Sequence, residues 1–296
     1  MTRFSDPFDL SMARTSRAWK KGVMLRFGIF LLAQLITPAG VAQERPSDIP
    51  DGYSLVWSDE FSDDGLPNST RWHFDTEANQ TGWYNNELQY YAAGRLDNAR
   101  VENSVLSIIA RRESLADAED YGGQRYSSAR LTTRGTASWT YGFFEIRAKL
   151  PCGGGTWPAI WMLGEEGSWP DSGEIDIMEH VGNDGDIVSS TVHNRSTAGT
   201  SGDGGRVALP TSCAQFHHYQ LHWTPQALRM SVDGRPIHRY SKAGRGEDGW
   251  PYDRPHYLLL NLAIGGDMAG AVDDSIFPAV FEVDYVRVYQ KLNSPL

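Results

Sequence analysis

The sequence predicts an all-β fold, a sandwich or barrel of antiparallel strands, and three observations support this prediction. Thirty glycines and fifteen prolines among 296 residues indicate many turns that join short segments. Apolar and polar residues alternate with period two in several segments, which is typical of strands with one buried face. No repeating helix separates these segments, and this excludes a parallel α/β plan.

The predicted strands share this alternation or a short apolar run bounded by turn residues. Segments 144–150 and 219–223 alternate strictly between apolar and polar side chains. Segment 228–232 continues in the same style and runs into Asp233-Gly234, a tight hairpin turn. The remaining predicted strands cover residues 105–111, 126–133, 157–163, 173–181, 187–193, 257–264 and 281–289.

Composition bounds the number of domains and the class of partner. A chain with 40% hydrophobic residues can bury a full core, so we predict one domain over residues 53–290, after a short leader (43–52) and before a tail (291–296). The net charge is −10, and the folded part has no run of lysine and arginine. Nucleic acid is therefore excluded as a partner, and we expect a monomer that takes a neutral or polar substrate.

The N-terminal region has the pattern of an export signal. Three basic residues within 20–26 precede an apolar run at 27–36, and small residues follow up to Ala42. An apolar run of roughly ten residues is too short to span a bilayer, which takes about 20. We therefore predict a cleaved signal peptide over residues 1–42, no stable membrane anchor, and a secreted or periplasmic protein. Translation from Met24 would give a signal of conventional length.

The chain has two cysteines, Cys152 and Cys213. In an exported protein an even count favours a single disulfide over a metal pair or a redox dithiol. Two buried free thiols are the alternative, and a thiol titration distinguishes the two states.

Segment 173–180, with the sequence GEIDIMEH, places acids inside an otherwise apolar strand. In a regular strand Glu174 and Asp176 share one face, while Glu179 points to the other. One extra residue, most simply around Ile177-Met178, would return Glu179 to the face of the other two acids. Such bulges often occur where an active site redirects a side chain, so we predict a bulge here.

The strand after this segment is predicted to return beside it. Asn183-Asp184-Gly185 reads as a turn, and a hairpin centred there places His193 roughly opposite Glu174. The expected site is a carboxylate cluster with an imidazole beside it.

Carboxylates on one face repel one another, so at least one is expected to be neutral at neutral pH while another stays ionised. Glycoside hydrolysis requires this combination of an acid for the leaving oxygen and a carboxylate for the anomeric carbon. A solvent-facing acidic edge and a calcium or magnesium site are the alternatives. No HExxH or CxxC spacing supports zinc.

Aromatic residues surround the acidic segment in the sequence. Trp157 and Trp161 lie on one strand face by parity, and Trp169 comes shortly before Glu174. Upstream, segment 82–91 mixes aromatic and amide side chains, and amides both donate to and accept from hydroxyls. Aromatic faces pack against sugar rings, so this composition favours a glycan-binding groove, although a single tryptophan is more often a core residue.

At these residues the sequence resembles glycoside hydrolase family 16, specifically its laminarinase-type endo-β-1,3-glucanases. The resemblance covers residues 53–290 and rests on six motifs in order. These are WSDEF (57–61), NNELQYY (85–91), YGFFEIRAKLP (141–151), GTWPAIWML (155–163), GEIDIMEH (173–180) and VDYVRVYQ (283–290).

The resemblance implies a β-jelly-roll of two antiparallel sheets with a concave substrate cleft, and a retaining double-displacement mechanism without a catalytic cofactor. It implies Glu174 as nucleophile, Glu179 as general acid/base, and Asp176 as the residue that controls the nucleophile's protonation. The implied substrate-binding residues are His193, Trp157, Trp161, Asn86, Arg130, Trp83 and Trp169. A structural calcium ion is also implied, with Glu60 and Asp284 as side-chain ligands.

The extra residue before Glu179 matches the laminarinase pattern and differs from the shorter ExDxE pattern of bacterial lichenases. This favours hydrolysis of β-1,3-glucan, with activity on mixed β-1,3/1,4-glucan as an extension. A galactan hydrolase of the same fold and a non-catalytic β-glucan-binding protein are the rival functions. One departure from the family lies at Asp267-Met268, where relatives often carry tryptophan after the glycine pair.

Overall fold

A computed structural model describes residues 48–198 and 202–291. The predicted signal peptide, most of the leader and all but the first residue of the tail lie outside the described residues, so these boundaries stay predictions. Within the described ranges no helix has the length and apolar character needed to cross a membrane.

The described residues form seventeen strands and one short α-helix, α1 (Gly266–Ala269). The strands are β1 (Tyr53–Asp59), β2 (His73–Phe74), β3 (Gln89–Tyr91), β4 (Ala99–Glu102), β5 (Val105–Ala110), β6 (Tyr126–Ser128), β7 (Arg130–Thr132), β8 (Gly142–Lys149), β9 (Thr156–Gly164), β10 (Glu174–His180), β11 (Ile187–His193), β12 (Asp203–Ala208), β13 (His217–Thr224), β14 (Ala227–Val232), β15 (Arg235–Ser241), β16 (His256–Ile264) and β17 (Ala279–Lys291).

Two antiparallel sheets dominate the structure and confirm the predicted all-β jelly-roll sandwich. The first sheet has the strand order β15-β14-β13-β8-β17-β5-β4, with β1 also paired to β17. The second sheet has the order β12-β11-β10-β9-β16-β7-β2. Strands β3 and β6 form a small parallel pair outside both sheets.

One hydrophobic core contains side chains from both sheets. Phe144 on β8 and Val288 on β17 belong to the first sheet, and Ile160 on β9, Ile175 on β10 and Leu260 on β16 belong to the second. All five are fully buried. Because side chains alternate along a strand, the neighbours of these residues on β9, β10 and β16 point to the opposite face of the second sheet, where the functional residues lie.

The predicted strand at 126–133 is two strands in the structure. Strand β6 pairs in parallel with β3, whereas β7 pairs antiparallel with β16. The chain changes partner at Ala129, and every residue from 126 to 133 is buried although the sheet is interrupted. Alternation alone could not reveal this change of partner.

Cys152 and Cys213 form a disulfide, the state that an exported protein favours. The bridge joins the chain just after β8 to the chain just before β13. A backbone hydrogen bond from the Leu150 N–H to the Ser212 carbonyl, 3.0 Å long, joins the same two segments beside it.

Candidate active site

The three acids of β10 lie on the outer face of the second sheet. Glu174 pairs with His193 of β11, as predicted, and Asp176 pairs with Thr191. The register of β10 against both neighbours then shifts between Asp176 and Glu179, which confirms the predicted bulge. Because two consecutive buried residues, Ile177 and Met178, occupy the bulge, Glu179 returns to the face of the other acids.

Burial and mutual repulsion raise the pKa of all three carboxyl groups. Asp176 is 3% exposed, and its burial together with the charge of Glu179 holds its pKa well above the usual range. Burial and the charge of Asp176 raise the pKa of Glu174, and burial and the charge of Glu174 raise that of Glu179. The three groups therefore share protons, and they cannot all be ionised at neutral pH.

Two tryptophan N–H groups donate to the two glutamates. Trp169 donates to Glu174 Oε2 at 2.6 Å, and Trp157 donates to Glu179 Oε1 at 3.1 Å. Thr191 adds a side-chain hydrogen bond to Glu179. These donors favour the ionised form of each glutamate and oppose the effect of burial. In contrast, Asp176 Oδ2 is buried and no hydrogen bond reaches it within the described part of the chain.

His193 lies beside the acids, as predicted. Its Nε2 atom is 3.4 Å from Asp176 Oδ2. The Tyr252 hydroxyl donates to the His193 backbone carbonyl at 2.9 Å, which fixes the strand at this point. His193 is therefore placed to interact with the acid that has the fewest other partners.

Glu174, Asp176 and His193 also have the donor types of a cation site, since their ligand atoms lie within 4.8 Å of one another. However, an N–H donor at 2.6 Å already occupies Glu174 Oε2 and points its positive end at the position a cation would take. The arrangement is better suited to carboxyl groups that exchange protons than to a metal ion.

The predicted aromatic pair, Trp157 and Trp161, lies on the same sheet face as the acids. Trp161 pairs with Asp176 across the strands, and its Nε1 donates to Asn261 Oδ1 at 2.7 Å. Asn261 in turn donates to the Tyr91 hydroxyl at 3.0 Å. This chain of hydrogen bonds fixes the ring of Trp161, which is partly exposed and can contact a sugar.

Arg130 lies between two predicted aromatic residues. Its guanidinium carbon is 4.7 Å from the ring centre of Trp161 and 5.0 Å from that of Trp83, and its Nε atom is 2.8 Å from Asp75. Trp83 is 6% exposed and its Nε1 donates to Asn79. Trp83 therefore supports Arg130 from the core, and its direct contact with a sugar stays a prediction.

Asn86 lies at the tip of a 3-10 turn that precedes β3. Asn85 and Asn86 have positive φ values of 55° and 56°, a conformation that asparagine tolerates better than most residues. Asn86 donates to Asp267 of α1 at 2.9 Å, and Met268 beside it is 51% exposed. Asp267 and Met268, which depart from the family pattern, thus lie next to Asn86, a predicted sugar-binding residue.

The two residues expected to hold calcium each bind an arginine. Glu60 accepts two hydrogen bonds from Arg287, at 2.9 and 2.8 Å, and Asp284 accepts one from Arg147 at 2.6 Å. Both carboxylates are thereby neutralised, and their arrangement does not fit a calcium ion held by these two side chains. A structural calcium ion stays a prediction.

Two polar residues of the site were not predicted. Asn261 is a buried amide in the otherwise apolar strand β16, and that interruption is a signal the sequence contains. Glu87 lies within the NNELQYY motif, accepts a hydrogen bond from Gln89 at 2.8 Å, and has a pKa raised by burial. Its position next to Arg130 depends on the fold, so no separate signal for it is present in the sequence.

Comparison with known proteins agrees with this geometry. Residues 83–286 match the model of the glycosyl hydrolases family 16. The chain is 46% identical over 281 residues to a β-glucanase of Rhodothermus marinus, covering 90% of this chain and 95% of the relative. It is similar to the solved structure of SCLam, a non-specific endo-β-1,3(4)-glucanase, with a TM-score of 0.80 and 50% identity, covering 83% of this chain and 94% of the other.

A second solved structure, the laminarinase from Rhodothermus marinus, has a TM-score of 0.75 and 49% identity, covering 80% of this chain and 97% of the other. The family model spans more than half of the chain, the relatives match nearly their full length, and the acids lie on one sheet face. The chain therefore belongs to glycosyl hydrolases family 16 and is a glycoside hydrolase.

Proposed function

We propose that this enzyme is an endo-acting β-1,3-glucanase that works by retaining double displacement, with Glu174 as nucleophile and Glu179 as general acid/base. One observation carries the proposal: two glutamates on one sheet face, each with its own tryptophan N–H donor, flank the buried Asp176. The pattern supplies two carboxyl groups in different environments, as the reaction requires.

Glu174 is the better nucleophile because its short hydrogen bond from Trp169 stabilises the carboxylate. Asp176, the most deeply buried of the three, is the group best suited to hold a proton. The two carboxyl groups can share one proton, since the hydrogen bond between them raises the pKa of Glu174 and lowers that of Asp176. Asp176 thus keeps Glu174 oriented and adds no second negative charge beside it.

With Glu174 ionised as the nucleophile, its charge and burial raise the pKa of Glu179, so Glu179 keeps its proton and acts as the acid. In the first step the Glu174 carboxylate attacks the anomeric carbon, the glycosidic C–O bond breaks, and the Glu179 proton goes to the leaving oxygen. Glu174 is then an ester and no longer charged, so the pKa of Glu179 falls. In the second step Glu179 takes a proton from water, and the resulting hydroxide equivalent displaces the ester.

The substrate class rests on the aromatic floor and on the relatives. The partly exposed Trp161 offers flat apolar surface beside the acids, and the buried amide of Asn261 holds its ring in place, while the buried Trp157 donates to Glu179. The similar proteins are called a β-glucanase, a non-specific endo-β-1,3(4)-glucanase and a laminarinase. We therefore propose β-1,3-glucan as the main substrate and mixed β-1,3/1,4-glucan as a second one.

Azide rescue tests the two roles. With an aryl β-glucoside donor, Glu174→Ala should lose nearly all turnover and regain it in azide as an α-glycosyl azide, because azide then attacks the anomeric carbon directly. Glu179→Ala should give the β-glycosyl azide, because azide attacks the glycosyl ester. The exposed Glu102 of β4 offers a matched control, and Glu102→Ala should leave turnover unchanged. Exchanged product anomers between the two variants would reverse the assignment.

Retention is tested by following the first product by NMR. The newly formed reducing end should appear as the β-anomer and only later mutarotate. An α-anomer appearing first would refute double displacement. A substrate panel tests the specificity, since cleavage of agar or carrageenan without cleavage of laminarin would favour a galactan hydrolase. Binding of laminarin without release of reducing sugar would favour a glucan-binding protein.

We also propose export of a monomeric enzyme. The signal-like N-terminal pattern and the disulfide between Cys152 and Cys213 support an oxidising compartment. N-terminal sequencing of the exported protein should give a start near Gln43, and an intact segment 27–36 in that protein would contradict cleavage.

A further inference from the structure

A histidine and the two cysteines meet away from the catalytic cluster. Cys152 follows β8, His180 ends β10, and Cys213 precedes β13. One ligand atom from each lies within 4.8 Å of the other two. The three residues come from three separate segments, so no metal-binding motif with a fixed spacing marks them in the sequence.

His180 has the protonation state that a metal ligand needs. It is 1% exposed, and its Nδ1 atom is 2.8 Å from the Ile187 carbonyl oxygen. A carbonyl only accepts, so Nδ1 carries the proton and Nε2 keeps its lone pair. Burial lowers the pKa of this histidine, which keeps it neutral, and its Nε2 has no hydrogen-bond partner within the described ranges. Metal-binding histidines commonly donate their second nitrogen to a backbone carbonyl in this way.

We propose that Cys152, Cys213 and His180 form a zinc-type metal site when the disulfide is reduced. Two thiolates and one neutral imidazole are ligands that select zinc and similar thiophilic cations over calcium or magnesium. In a tetrahedral zinc site, bonds of about 2.3 Å to sulfur and about 2.0 Å to nitrogen place ligand atoms about 3.5 to 3.8 Å apart. The three ligand atoms already lie within 4.8 Å of one another, so small side-chain movements would suffice to reach that spacing.

The metal and the disulfide exclude each other because they use the same sulfur atoms. Reduction by a phosphine breaks the S–S bond and consumes one water. The two sulfurs become thiols, and the phosphine becomes its oxide. Zinc binding then releases the two thiol protons, giving a complex with no net charge and a water molecule as fourth ligand.

The surrounding structure supports such a site without the covalent bond. The backbone hydrogen bond from Leu150 to Ser212 and the antiparallel pairing of β8 with β13 hold the two cysteine segments together. Cys152 is exposed, so a reductant and a metal ion both have access, while His180 binds from the buried side.

A cobalt titration tests the site, because Co²⁺ bound by thiolates has an intense near-ultraviolet charge-transfer band. The full chain is reduced with phosphine, freed of reagent without oxygen, checked by circular dichroism, and titrated with Co²⁺ and then Zn²⁺. Reduced protein should bind one Co²⁺ with the thiolate band and release it to Zn²⁺. Oxidised protein should show no band.

Variants identify the ligands. Cys152→Ser and His180→Gln should each weaken Co²⁺ binding about tenfold or more. Cys152 is exposed, so its variant tests the site even where His180→Gln fails to fold. His256 is the matched control: it is fully buried, its Nδ1 also contacts a backbone carbonyl, and its Nε2 also has no partner among the described residues. His256→Gln should leave the thiolate band unchanged.

Three results would overturn the proposal. The first is a reduced wild type that gives no thiolate band. The second is equal Co²⁺ affinity in wild type and Cys152→Ser. The third is loss of the circular dichroism spectrum on reduction, since the site requires the fold to hold the ligands without the S–S bond.

Discussion

Replacing Trp169 with phenylalanine removes the indole N–H that donates to Glu174 and keeps an aromatic ring at the same place. The lost hydrogen bond is 2.6 Å long and its acceptor is the carboxylate that we propose as nucleophile. The donor stabilises the ionised form of Glu174, so its removal raises the pKa of that group further. A nucleophile must be ionised, and the acid limb of the pH–rate profile should therefore move to higher pH.

The size of the shift follows from the strength of the bond. Hydrogen bonds to charged groups contribute about 1.5–3 kcal/mol. Trp169 is 53% exposed, so water partly replaces the lost donor and the lower end applies. A loss of about 1.5 kcal/mol corresponds to roughly one pKa unit. Trp169→Phe should thus shift the acid limb of kcat/KM upward by about one pH unit, with roughly tenfold lower activity below it.

The assay measures kcat/KM for laminarin across the acid range from the release of reducing sugar. Trp161→Phe is the matched control, because it makes the same substitution in the same cleft but removes a donor to the neutral Asn261. The control should change KM and leave the acid limb in place. Identical limbs in wild type and Trp169→Phe would refute the stabilising role of this hydrogen bond.

Three further predictions concern binding and stability. Arg130→Lys should raise KM for laminarin about fivefold with little change in kcat, because the loss of roughly 1 kcal/mol of cation–π stacking leaves the Trp161 ring less firmly oriented. Unchanged steady-state kinetics would contradict this. Burial alone would raise the pKa of Asp233, but hydrogen bonds from His217 and His218 hold it far below its usual value. Asp233→Asn should therefore lower the free energy of unfolding at pH 7 by about 1–3 kcal/mol. In urea titrations this difference from wild type should shrink as the pH falls below about 4, and a difference that stays constant with pH would argue against the linkage. Replacing both cysteines with serine should lower the free energy of unfolding by about 4 kcal/mol, because the bridge closes a loop of 61 residues; equal urea midpoints would contradict a stabilising bridge.

Parity and turn chemistry made the acidic hairpin predictable from sequence. Three acids in an apolar strand can act in one catalytic site only if they share a face of the sheet. The odd spacing of Glu179 therefore required one extra residue in the strand. The turn at residues 183–185 fixed the register well enough to place His193 opposite Glu174. These are local relations within about twenty residues, and the structure has the same bulge and the same pair.

The relations that cross the sheet could not be predicted in this way. Arg130 lies between two tryptophans because β7 and β9 both flank β16, an order that depends on strand pairing across more than a hundred residues. Trp83 is buried between Arg130 of the distant strand β7, at 5.0 Å, and the nearby Tyr91, which packs edge-on against it at 4.6 Å. The exposure of an aromatic side chain in such a fold depends on which strands surround it, and composition does not record that.

Strand β17 has a consequence for how the chain reaches this structure. Its thirteen residues pair with β8 on one side and with β5 and then β1 on the other, so it joins segments from both ends of the domain. The first sheet lacks its central strand until residues 279–291 have left the ribosome, and β16 occupies a similar place in the second sheet. Folding of the first sheet therefore has to wait until residues 279–291 have been synthesised, with the earlier strands exposed to aggregation in the meantime. A ribosome stalled before residue 256 should hold a chain that proteases digest readily.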